Sequence, residues 1–76
     1  MQRPAVSKWD RVIHKSVRTE DGNPVGYIAA EGEGSIIVLS SGFRQYTIPK
    51  SNVKEFDGSQ VYLDFPTREL NRYRVQ

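Results

Sequence analysis

With 76 residues and no cysteine, the chain has room for one compact domain and excludes disulfides, thiolate metal ligands and thiol nucleophiles. Hydrophobic residues make up 37% and charged residues 26%, with Trp9, three Phe and four Tyr, a globular composition and not that of a disordered segment. The net charge is only +2, yet basic blocks (Arg3 to Arg18, Arg44 to Lys54, Arg68 to Arg74) alternate with acidic ones (Glu20 to Glu33, Glu55 to Asp64).

Residues 1–11 show neither the apolar run of a secretion signal nor any structural period. They are expected to form a flexible segment from which Trp9 docks on the body, leaving 12–76 as a single domain. No stretch approaches the length of a membrane-spanning helix, which predicts no membrane span, and the lack of cysteine suits a reducing, cytoplasmic setting. From Val25 onward short apolar runs are punctuated by Gly, Asn, Asp and Pro, the pattern of successive strands joined by tight turns. Glu20-Asp21-Gly22-Asn23-Pro24 is a turn, because Gly22 accepts positive φ and Pro24 cannot donate a hydrogen bond inside a strand. A strand over 25–30 follows, then a Glu31-Gly32-Glu33-Gly34 hairpin turn, then a strand over 35–40.

The run Phe43 to Ile48 alternates, with Tyr46 and Ile48 expected inward, until Pro49 ends it. Asp57-Gly58 is a second Asp-Gly turn, feeding a strand from Gln60 in which Val61, Leu63 and Phe65 share a face. After Pro66, Thr67 can cap one or two helical turns that place Leu70 and Tyr73 together. Asp21-Gly22-x-x-Val25 and Asp57-Gly58-x-x-Val61 are similar words 36 residues apart, which turn chemistry explains as well as duplication does. The predicted fold is all-β, a small closed or nearly closed barrel of about five or six strands with a short C-terminal helical turn.

Catalytic chemistry finds no foothold. His14 is the single imidazole and has no triad spacing around it, one His without Cys makes no metal centre, and the carboxylates are scattered through turns. Asp21 and Asp57 are expected to bond local backbone, and Gly32-x-Gly34 precedes a strand where a phosphate loop would precede a helix. No catalytic residue, cofactor or metal ligand is therefore expected. Binding remains, with two leads. Arg11, Lys15, Arg18, Arg44 and Lys50 are candidates for a basic face that would take RNA or single-stranded DNA. Ile36, Ile37, Val38 and Leu39 form a strand apolar on both sides, whose second face asks for cover from the segment carrying Leu70, Tyr73 and Val75 or from a second copy of the chain.

The order of motifs resembles the PRC-barrel superfamily, in particular its short stand-alone members from archaea and bacteria. The carriers are Val12-Ile13-His14-Lys15-Ser16-Val17, Asp21-Gly22-Asn23-Pro24-Val25-Gly26-Tyr27-Ile28, Tyr46-Thr47-Ile48-Pro49-Lys50-Ser51-Asn52-Val53 and Phe56-Asp57-Gly58-Ser59-Gln60-Val61, with Leu70-x-x-Tyr73 closing. The resemblance implies a barrel of about six strands without catalytic residues, used as an adaptor. The two-sided strand from Ile36 to Leu39 adds the expectation of a protein partner and of a homodimer. The chain departs from the family by carrying His14 where members commonly have Gly.

Overall fold

The computed structural model describes residue 6 and residues 8–75. Seven strands form one sheet: β1 (Ser16–Arg18), β2 (Pro24–Glu31), β3 (Ser35–Leu39), β4 (Gln45–Pro49), β5 (Val53–Phe56), β6 (Gln60–Leu63) and β7 (Arg74–Val75). Their order across the sheet is β5-β6-β1-β2-β3-β4-β7. Neighbours run antiparallel except β1 and β6, which pair parallel with Val17 opposite Val61. The sheet ends at β5 and β7 and, among the described residues, no ladder closes it. Four 3₁₀ turns, Trp9–Val12, Ser41–Phe43, Lys50–Asn52 and Thr67–Tyr73, supply the short helical elements.

Alternation along the strands sends one face of this sheet into one core. Ile36 and Val38 of β3, Tyr46 and Ile48 of β4, and Val61 and Leu63 of β6 are buried together with Val17, Val25, Ile28, Val53 and Phe65. Ile28, Ile36, Ile48 and Leu63 have no exposed surface, and removing each side chain from water contributes about 2 kcal/mol.

Strict alternation would put Val25 and Tyr27 on the same side, but Val25 is buried and Tyr27 is exposed. A bulge explains the change of phase: Val17 pairs with Gly26 and Arg18 with Pro24, so Val25 is left unpaired and turns inward. Gly26 sits at the turnover because a Cβ there would lie 1.9 Å from the Leu39 carbonyl oxygen.

Segments near both ends of the described residues pack onto the body. Val6 is buried, and Trp9 packs against the core with the Lys50 ammonium 4.9 Å above its ring, so the expected docking of Trp9 is found and the packed body reaches further back than residue 12. The rest of the segment expected to be flexible, residues 1–5 and 7, lies outside the described residues. At the other end Leu70 and Tyr73 pack on the core, with Tyr73 stacked on Phe65 at 4.8 Å between centroids. Thr67 does not cap its turn; its hydroxyl donates to Asp21 Oδ1 at 3.0 Å. No helix among the described residues is long and apolar enough to cross a membrane.

Candidate functional site

The carboxylates and the lone imidazole come first, because catalysis would need them. Asp57 behaves as the sequence predicts: Oδ1 accepts from the backbone N–H of Ser59 at 2.9 Å and of Gln60 at 2.7 Å. Asp21 departs from it. Its carboxylate accepts from the Thr19 and Thr67 hydroxyls and the Asn23 amide, tying the first Asp-Gly turn to the C-terminal segment. The Thr19 hydroxyl holds the Asp21 carboxyl below its ordinary range, and the Gln60 and Ser59 amides do the same for Asp57. Both groups are therefore carboxylates at neutral pH, fitted to anchor turns.

His14 is exposed and stands at φ +70°, in the left-handed region that favours glycine, where the family resemblance expects Gly. Its backbone N–H donates to the Ile28 carbonyl at 2.7 Å. Among the described residues, no three His, Cys, Asp or Glu side chains gather as metal ligands would.

The structure divides the apolar strand. Ile36 and Val38 are fully buried in the core and unavailable to a partner, which corrects half of the candidate self-association set. Ile37 and Leu39 lie half-buried on the outer face, opposite Ala30 and Thr47 and opposite Tyr27 and Gln45 respectively. Leu70 and Tyr73 pack on the core side of the sheet and so do not cover this face. Tyr27, 46% exposed, continues the patch, and the β3–β4 turn raises Phe43 beside it with its side chain fully in solvent. Tyr27, Leu39, Gly42, Phe43 and Gln45 line a mostly apolar recess of about 530 Å³.

Phe43 is the residue that sequence reasoning misplaced. Counted as the first residue of a strand, it is instead the last of a 3₁₀ turn at φ +62°, following Gly42 at φ +72°. The available signal was Ser41-Gly42, a pair suited to a turn that Phe43 completes.

The basic candidates separate into three groups. Lys50 is paired with Glu31 at 2.7 Å and lies over Trp9. Arg11 and Lys15 line a small recess with Phe56 and Gly58. Arg18 and Arg44 line a different recess together, and Arg44 continues into a second one that Arg68 lines. Arg68 was absent from the sequence-level set; only the folding back of 67–73 over β4 brings it near Arg44, and nothing in local sequence signals that approach.

The chain matches no protein-family model, no curated protein and no solved structure in such comparisons.

Proposed function

We propose that this chain is a non-catalytic, cytoplasmic adaptor domain of the PRC-barrel kind that docks on protein, including a second copy of itself, through the outer face of β2, β3 and β4. One observation carries the reading: Phe43 is fully exposed and also holds a left-handed backbone conformation. An exposed phenyl ring forgoes the burial that would stabilise the fold, and positive φ costs a non-glycine residue about 1–2 kcal/mol. A residue that costs stability through its backbone and returns none through burial is best explained by a use on the surface. The scaffold part rests on the motif order and is supported by a single sheet whose buried side chains form one cluster.

The patch is self-complementary in outline, a protruding ring next to the recess it helps to line, which suits a two-fold pairing in which each Phe43 enters the other copy's recess. Its area is modest. Phe43 offers about 200 Å² and Tyr27 about half that, against about 800 Å² per partner in a standard interface, so the pairing is weak.

Sedimentation velocity across a concentration series tests this. The unaltered chain is expected to show a reversible dimer at high micromolar concentration. Phe43→Asn, which keeps a residue tolerant of positive φ, and Ile37→Lys should both shift it to monomer. A strict monomer at every concentration removes self-association; loss of dimer with Ile37→Lys but not with Phe43→Asn removes Phe43 as the anchor.

A further inference from the structure

We infer that the trough between the start of β2 and the 67–73 turn is a binding site for an acidic peptide segment, with Arg18, Arg44 and Arg68 as its cationic contacts. It stands on residues other than those of the apolar patch, and either reading survives failure of the other. Two recesses of about 300 Å³ and about 450 Å³ share Pro24, Val25, Ser40 and Arg44 and so adjoin; together they make up the trough. Arg18 lines one recess, Arg68 the other, and Arg44 both. Three arginines spread over two adjoining recesses suit an extended chain with spaced charges more than a compact ion.

No Asp or Glu lines either recess. Among the described residues, neither Arg44 nor Arg68 has a carboxylate within ion-pair distance, whereas Lys50 and Arg72 do. Asp21, which holds Thr67 at the rim, is already answered by the hydroxyls of Thr19 and Thr67 and the amide of Asn23. Arg18 is fixed in advance: Nε donates to Gln60 Oε1 and Nη1 to the Gly22 carbonyl, leaving the remaining donors of a five-donor group directed by a rigid frame. Guanidinium forks match carboxylates in bidentate geometry, and clusters of arginine are a recurring reader of acidic motifs.

The rest of the lining decides what bears the charge. Ser40, Ser41, Gln60 and Asn71 offer hydroxyls and amides of the kind that hydrogen-bond a peptide backbone. A strand of RNA or DNA would want aromatic faces for its bases, but Tyr46 is the one aromatic side chain in the lining and it is 7% exposed. Ser40 also lines the apolar recess beside Phe43, so an acidic segment in the trough continues toward that patch.

The test is fluorescence anisotropy of a labelled hexaglutamate peptide titrated with the full chain at low salt, with hexalysine, a short oligothymidine and inorganic phosphate as parallel arms. Hexaglutamate should bind saturably and weaken with added salt. Arg68→Glu and Arg44→Glu should each weaken it about tenfold or more, the loss of one charge-assisted contact. Lys54→Glu, on the edge strand β5 and outside the trough, should change it less than twofold, on the same scale. In the unaltered chain, amide shifts on adding the peptide should centre on Ser40, Thr67 and Asn71. Absent binding, equal loss with Lys54→Glu, or shifts centred elsewhere would overturn the site; tighter binding of oligothymidine would replace the peptide with nucleic acid, and competition by phosphate alone at equal concentration would reduce it to a single-ion site.

Discussion

Asp21-Gly22 and Asp57-Gly58 place the same dipeptide before a strand, with Gly22 at φ +84° and Gly58 at φ +97°, yet their carboxylates reach different partners. Asp57 takes the N–H groups two and three residues ahead of it and stays local. At the first turn the N–H two residues ahead, that of Asn23, donates instead to the Thr19 hydroxyl at 3.2 Å. Glu55, at the corresponding position before Asp57, is exposed where Thr19 is buried. Asp21, bonded to the side chains of Thr19 and Asn23 in its own turn, also reaches Thr67, 46 residues along the chain. The dipeptide sets backbone geometry, and the residue two places earlier decides whether the carboxylate closes a turn or clasps a distant segment.

Thr19→Val is the severest challenge to that contrast. The hydroxyl is fully buried and serves Asp21, Asn23 and Thr67, so its loss should lower the unfolding free energy by about 2–3 kcal/mol in urea denaturation. An effect under half a kilocalorie would mean the clasp is incidental.

Gly22→Ala and Gly58→Ala come next. Nothing lies within 4 Å of a Cβ at either site, so only backbone strain is added, and each should cost about 1 kcal/mol by the same assay. Equal losses would show that the turns share a backbone; a much larger loss at Gly22 would mean the clasp also depends on the turn's fine geometry.

The smallest effect is the response to acid. Both carboxyls are held below their ordinary range in the fold, so each adds stability that is present above about pH 4 and is lost as pH falls below it. Asp21→Asn and Asp57→Asn should each flatten part of this acid limb. Amide exchange separates the two: in the unaltered chain, acid should speed exchange across 67–73 through Asp21, and Asp57→Asn should leave that response intact.

Much of the fold was legible because burial and turn chemistry agree in the sequence. Tyr46 and Ile48 point inward and Pro49 closes their strand, as period and proline require. Strand β1 went unread because three residues carry too little period, and its bulged and parallel pairings depend on segments far along the chain. The binding surfaces were legible only in part. Four apolar residues in a row marked β3, but not which two of them face out. The charge pattern marked Arg18 and Arg44, while the Glu31 partner of Lys50 follows from hairpin register and Arg68 from the packing of the last turn, both tertiary facts.

The parallel pairing of β1 with β6 also orders events in time. As the chain is synthesised, β2, β3 and β4 can meander into place by local hairpins, but one edge of β1 stays bare until Gln60–Leu63 has emerged. Until then Val17 lacks its neighbour Val61, and the core is open on that side. This long-range pairing, rather than the first hairpin, is therefore expected to set how fast the domain folds and how long its apolar interior is on view to other molecules.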